Sequence, residues 1–196
     1  MPRRPDPYLE DRILDAAHAL WKRGGEKALT MRAVARAADS NTPAVYRRFK
    51  NRREIVRALL RRIQVDIGSH LLRCRTVEEM GESYLHYALS HRHEYELFYA
   101  HARDLVPAAR NGQQRPIRES RPNVGMMEKR LAERLGGSPR QHTGLALALW
   151  AAAHGTAMML ISEVLPGHDA AVRKAFTAAV KALMHGALSK SKSSTK

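Results

Sequence analysis

The feature that most constrains this chain is the spacing of its apolar residues. They recur every three or four positions through most of its 196 residues, and no stretch alternates with the period of two that a half-buried strand requires. Leu9, Ile13, Ala16 and Leu20 trace one amphipathic helix that ends near Gly24-Gly25. Thr30 is placed to cap a short second helix carrying Val34 and Ala38 on one face. Asp39-Ser40-Asn41 reads as a turn. Asn41 caps a third helix, which tolerates Pro43 in its first turn because amide protons there lack intrahelical acceptors. Asn51 and Glu54 form a capping-box-like pair before a long fourth helix through Ile55, Leu59, Ile63, Ile67 and Leu71. Further helices are expected at about 76–92, 93–105, 122–136, 140–164 and 168–188, with residues 107–122 as a connector. The expected fold is therefore all-α with about nine helices. Residues 1–60 form a three-helix unit, 61–188 a helical bundle, and 189–196 a disordered Ser/Lys tail.

Charge is unevenly placed along this frame. Residues 1–62 hold 16 Lys and Arg against 7 Asp and Glu, whereas residues 63–188 hold 15 against 12. A basic module on a nearly balanced body points to an anionic polymer as partner; the competing reading is a solvated basic surface. Cys74 is the sole cysteine, so no internal disulfide forms, in keeping with a reducing cytoplasm. It is expected to pack as a small apolar residue. The start of the chain has no apolar core of a signal peptide, and no apolar run is expected to reach membrane-spanning length. Nucleophile elbow, phosphate loop, paired carboxylates and metal-ligand spacing are all missing from the sequence, which argues against an enzyme and implies no cofactor and no metal.

Three short helices with a tight turn between the second and third describe a helix-turn-helix. An α-helix fits the major groove of B-DNA, and the helix before it braces it against the backbone. Ile13, Leu20, Val34, Ala35, Ala38, Val45, Phe49 and Ile55 supply the core this needs. At these positions the sequence resembles the TetR (tetracycline-repressor-like) family. Ile13-Leu-Asp-Ala-Ala-His-Ala-Leu-Trp21 is similar to that family's first helix and Thr30-Met-Arg-Ala-Val-Ala35 to its second. Ala44-Val-Tyr-Arg-Arg-Phe-Lys-Asn-Arg-Arg53 is similar to its recognition helix and exit. The likeness runs without a gap over about residues 9–60. The family's usual turn glycine is Asp39 here, a residue that tolerates left-handed backbone angles, and the Val after it is Ser40. Arg48 replaces a usual His, and Thr42-Pro43 stand where Lys or Gly is common.

The resemblance together with side-chain chemistry implies the contacts to double-stranded operator DNA. Thr30 offers a hydroxyl at a helix N-terminus, or serves only as the cap. Asn41, Thr42, Pro43 and Ala44 open the recognition helix. Thr42, Ala44 and Arg47 are the base readers: a hydroxyl, a methyl for thymine and a bidentate donor for guanine. Tyr46 either contacts phosphate or packs under the helix, and Arg48, Lys50 and Arg52 are phosphate partners. Arg3 and Arg4 form either a minor-groove arm or a frayed end.

The same resemblance implies that the remainder binds a small-molecule effector and forms a homodimer. Trp150-Ala-Ala-Ala-His154-Gly155 resembles the Trp-His-Gly signature of one C-terminal subfamily. Residues 84–101 are dense in Tyr and His, and paired methionines follow downstream. This composition suits a pocket for a partly apolar molecule as well as ordinary helix packing. Tyr84, Tyr87, Tyr99, Met127 and Met158 are the candidate pocket residues. Trp150, Ala152, Ala179 and Leu183, on small apolar faces of the last two helices, are the candidate dimer residues. His154 is expected to be packed or hydrogen-bonded. The expected function is a DNA-binding repressor released by its effector. The alternatives are a sequence-independent DNA-binding protein and, behind it, an enzyme on a helical scaffold.

Overall fold

The helical spacing is realised along the chain. The computed structural model describes residues 6–106 and 116–193, with side chains to residue 189, and among these every regular element is a helix. In chain order they are α1 (Leu9–Ala28), α2 (Met31–Ala37), α3 (Thr42–Arg48), α4 (Arg52–Leu72), α5 (Val77–Ser90), α6 (Arg92–His101), α7 (Ile117–Ser120), α8 (Pro122–Leu135), α9 (Thr143–Ile161) and α10 (Asp169–Ser193). Short 3-10 turns at Ala102–Leu105 and Pro139–His142 follow α6 and precede α9. The helix not foreseen is α7, inside the segment read as a connector. Residues 107–115 of that segment, Arg3, Arg4 and the last three residues of the expected tail lie outside the described residues. α10 itself runs on to Ser193, past the position where the tail was expected to begin.

The chain divides into two compact units: Met1–Ile63 with Ala100–Leu105, and Gln64–Tyr99 with Val106–Lys196. In the first, α1 buries Ile13, Ala16 and Ala17. Its helical course breaks where the sequence suggested. Gly25 has φ +60° and ψ −151°, a conformation that a side chain disfavours, and one further turn leads to Ala28. Thr30 caps α2 by accepting from the Ala33 amide at 3.1 Å. Asn41 caps α3 by accepting from the Ala44 amide at 2.9 Å. Between them Asp39 takes φ +49°, the left-handed angle that the missing glycine would have supplied, and the Ser40 amide donates to the Ala35 carbonyl at 2.9 Å. α4 opens with Asn51 accepting from the Glu54 amide, while the Glu54 carboxylate accepts from the Lys50 amide at 2.7 Å. Of the eight expected core residues seven are buried and Leu20 is half-buried.

In the second unit α9 packs against α5, α8 and α10. α5 starts on a full capping box, with Thr76 and Glu79 each accepting from the other's amide. α10 places Val172, Phe176, Val180 and Met184 in the core at intervals of four. Close packing here is tight enough that a Cβ on Gly81 would sit 3.0 Å from the Phe176 ring. Cys74 is buried, as expected. One expectation needs correction: Pro139–Ile161 is long and apolar enough by composition to cross a membrane. Its His and Thr residues looked like interruptions but are too few to change its character. Ala146, Leu149, Ala153, Ala157, Leu160 and Ile161 are buried in the unit, so α9 is a core helix.

Candidate functional site

The N-terminal unit presents α3 with one face inward and one outward. Val45 is fully buried and Ala44 is 6% exposed, so both anchor the helix. That places the Ala44 methyl in the packing rather than at the surface where a thymine methyl would meet it. The outward face carries Pro43, Tyr46 and Arg47, at the spacing that shares one side of a helix, with Thr42 half-buried beside them. Tyr46 is 51% exposed rather than packed under the helix. Thr30 is exposed with its hydroxyl engaged as the cap.

Around this face stand the exposed cations Arg48, Lys50, Arg52 and Arg53. Several are already held. Arg48 donates to the Asp6 carbonyl at 3.1 Å, Arg52 pairs with Glu26 at 2.6 Å, and Arg53 pairs with Asp104 at 2.6 Å. The Arg53 guanidinium holds the Asp104 carboxyl below its usual range. Exposed pairs of this kind are worth about 0–1 kcal/mol. Exchanging Glu26 for a phosphate therefore costs Arg52 little, and meanwhile the pair keeps the side chain extended at the surface.

The second unit encloses a cavity of about 50 Å³, walled by α4, α5, α8 and α9 residues with Phe98 and Tyr99 of α6. Of the candidate pocket residues, Tyr84, Tyr99 and Met127 line it. Tyr87 and Met158 do not. Tyr87 is buried one turn further along α5, where its ring stacks on His91 at 4.4 Å and meets the edge of His70. Met158 lies on an exposed part of α9. Trp150, expected at a subunit interface, instead belongs to the cavity wall. Its indole N–H donates to the Tyr84 hydroxyl at 3.2 Å and the Tyr99 hydroxyl at 3.1 Å. Leu149 also turns into the cavity. The other dimer candidates fall elsewhere: Ala152 and Ala179 line a shallow apolar groove between α9 and α10, and Leu183 is half-buried on α10.

Sequence reasoning gave no role to the polar chain behind the cavity. Tyr84 bonds to Tyr99 and, at 3.0 Å, to Tyr95; the Tyr95 hydroxyl meets His154 Nδ1 at 2.5 Å. Burial holds His154 below its ordinary imidazole range and raises the three phenols, so all four groups are neutral. With Nδ1 as acceptor, Tyr95 donates to His154, Tyr84 to Tyr95 and Tyr99 to Tyr84. The composition of residues 84–101 hinted at such a set, but its partner on α9 is 59 residues from Tyr95. Among the described residues no three His, Cys, Asp or Glu side chains stand together as a metal site.

A pH dependence follows from His154. Its pKa is lower folded than unfolded, so the unfolded chain binds more protons and stability rises with pH across that interval. The stability is fully present above the unfolded value of about 6.5 and is lost as pH falls through the folded value. Urea midpoints of the full chain should therefore fall below about pH 6.5. His154→Gln should flatten that slope relative to the parent. An unchanged slope would mean that other histidines carry it.

Comparison with known proteins follows the same division. Residues 13–59 match the bacterial regulatory proteins of the tetR family, and residues 77–183 match a tetracyclin repressor-like C-terminal domain. No curated protein matches the chain. Among solved structures, a protein of unknown function from Rhodococcus sp. RHA1 superimposes with TM-score 0.69 at 20% identity, covering 95% of this chain and 98% of its own. A TetR-family transcriptional regulator from Streptomyces coelicolor gives 0.65 at 21% identity, covering 92% and 99%. The multidrug binding protein EbrR, in complex with imidazole, gives 0.60 at 22% identity, covering 89% and 96%. At these identities the structures establish a shared fold.

Proposed function

As the chain belongs to the TetR family, whose members are DNA-binding transcriptional regulators and not enzymes, we propose that it is a ligand-responsive repressor acting in the cytoplasm. In this reading it binds a near-palindromic operator as a homodimer, and an effector in the cavity of the second unit releases it. The observation that carries the DNA half is the outward face of α3. Tyr46 and Arg47 are exposed there, backed by Arg48, Lys50 and Arg52 on a unit with excess positive charge. Thr42 and Arg47 read base edges, while Tyr46, Arg48, Lys50, Arg52 and the Thr30 hydroxyl hold phosphates. The effector half is supported by the lined cavity and by EbrR, a protein of the same fold that binds drugs. Assignment to the Trp-His-Gly subfamily rests on Trp150, His154 and Gly155: Trp150 lines the cavity and His154 stands behind it, with ring centroids 6.4 Å apart.

The roles of Arg47 and Arg48 separate in one experiment. Operator fragments are first selected from genomic DNA by the full-length protein, then titrated alongside random DNA at several salt concentrations. Arg48→Ala should weaken both DNAs alike and reduce the salt slope by about one. Arg47→Ala should cost about 1–3 kcal/mol on the selected site and narrow the gap to random DNA. Equal loss of discrimination from both changes would sink the division of roles. A wild-type protein that does not distinguish selected from random DNA would instead be a sequence-independent binder.

A further inference from the structure

The hydrogen bonds along the aromatic wall of the cavity leave one valence open, and its sign selects a ligand. The run ends at His154, where a neutral phenol meets a neutral imidazole. The imidazole nitrogen is the stronger base of the two, so Tyr95 keeps its proton and donates it to Nδ1. Every other proton then has one place. Tyr84 donates to Tyr95 at 3.0 Å, and Tyr99 donates to Tyr84. The Trp150 N–H is shared between the Tyr84 and Tyr99 oxygens. Tyr84 thus donates once and accepts twice, which fills its capacity. Tyr99 donates once and accepts once, so its oxygen keeps one lone pair.

That lone pair belongs to a cavity residue. Tyr99 lines the space with Tyr84 and Trp150, whereas Tyr95 is fully buried behind them. Elsewhere in the lining Gln64 and Arg121 each donate to the Ser120 carbonyl, at 3.2 Å and 2.8 Å. Leu149, Ile67, Val124 and Val180 supply apolar contact, and none of the described lining residues is acidic. A ligand that fits this wall adds one donor and little else that is polar. An ammonium donates, but it enters without a counter-charge. An amide N–H brings a carbonyl with it, which must also leave water. A hydroxyl brings the donor on a single atom. The cavity volume of about 50 Å³ keeps the ligand body compact, and Met80 and Met127, which are unbranched and adaptable, move to admit it.

We propose that the effector is a compact, neutral hydroxyl compound, a simple phenol or alcohol, that donates its proton to the Tyr99 oxygen and lays its apolar body against Leu149, Val124 and Met127. This rests on the reading that the cavity holds an effector and narrows the chemistry of that site. The ether of the same body has only lone pairs to set against the lone pair of Tyr99, and the hydrocarbon leaves that oxygen unpartnered. The selectivity is held in place from behind. As long as Tyr84 takes the Tyr99 proton, the cavity offers an acceptor there and not a donor.

The test uses three probes with one ring and different heads: 4-methylphenol, 4-methylanisole and p-xylene. Each is titrated calorimetrically into the full-length protein, and into Tyr99→Phe and Tyr84→Phe after their melting temperatures confirm folding. Both variants keep one acceptor for the Trp150 N–H, so neither strands that donor. Tyr99→Phe should weaken 4-methylphenol by about three- to tenfold and leave the other two probes within about twofold of their parent affinities. Tyr84→Phe removes the acceptor of the Tyr99 proton, which then turns toward the cavity. In that variant 4-methylanisole, an acceptor only, should gain on p-xylene by about threefold relative to the parent. A phenol affinity that ignores Tyr99→Phe, an ether or hydrocarbon weakened as much as the phenol, no gain of the ether in Tyr84→Phe, or no binding by any probe would overturn the proposal. Repeating the titrations with selected operator DNA separates this failure from that of the effector reading. Tyr99-dependent phenol binding with equal affinity on and off DNA keeps the hydroxyl and removes the regulation. A probe that is weakened by operator but indifferent to Tyr99→Phe does the reverse.

Discussion

Replacing Phe49 with alanine should destabilise the N-terminal unit by about 3–5 kcal/mol and abolish operator binding at ordinary protein concentrations. Phe49 is 6% exposed and sits at the junction where α3 ends. Its backbone is extended, and its amide donates to the Val45 carbonyl at 2.9 Å, so the ring is fixed directly behind the helix that carries Tyr46 and Arg47. It belongs to the same buried set as Ile13, Val34, Val45 and Ile55. The unit is only about 70 residues, and a domain of that size has a few kcal/mol of stability in all. Truncation therefore removes most of it rather than a fraction. The measurement is urea unfolding followed by Trp21 emission in a Trp150→Phe background, since the two tryptophans fall in different units. Trp21 should report a transition at much lower urea. Phe49→Leu, which keeps more of the volume, should lose less. A midpoint unchanged by Phe49→Ala would mean that the ring is not part of the core of this unit.

What the sequence disclosed, and what it hid, follows from the range of each interaction. Caps act over three residues, so Thr30, Asn41 and the Asn51–Glu54 pair could be read directly. Asp39 could be read too, because its left-handed angle is a property of the turn itself. The core of the first unit followed from period, since helices with polar outer faces mark their inner ones. The cavity was harder. Composition singled out Tyr84 and Tyr87 together, and both lie on one stripe of α5. A stripe specifies a face and not a depth, and one turn beyond Tyr84 the space is filled by His70 and His91. Trp150 was misplaced for a related reason: α9 is apolar on nearly every side, so periodicity could not tell its cavity face from its groove face. Arg121 carried no local signal at all. It stands at the edge of a segment that read as a connector, and only the packing of α8 brings it to the cavity.

The second large effect concerns the groove between α9 and α10. Its lining includes Ala151, Ala152, Gly155, Met159, Ala175 and Ala179, a run of small and apolar side chains open to solvent in the single chain. An apolar surface of this kind is covered in most soluble proteins. A single recognition helix reads too few bases to select one site in a genome, whereas a two-fold pair reads both halves of a near-palindrome. The homodimer proposed above meets both needs with one contact, and a two-fold contact places Ala179 of each copy against the same patch of the other. Ala179→Glu would then bury two unpaired carboxylates per dimer, at a cost of several kcal/mol, and raise the dimer dissociation constant by at least roughly a hundredfold. Sedimentation at micromolar concentration should give twice the 22.0 kDa chain mass for the parent and the single-chain mass for the variant. Lys174→Glu on the same helix, outside the groove, should leave the dimer intact. The variant should also lose operator affinity steeply. A parent protein that sediments only at 22.0 kDa would remove the dimer, and with it the near-palindromic operator.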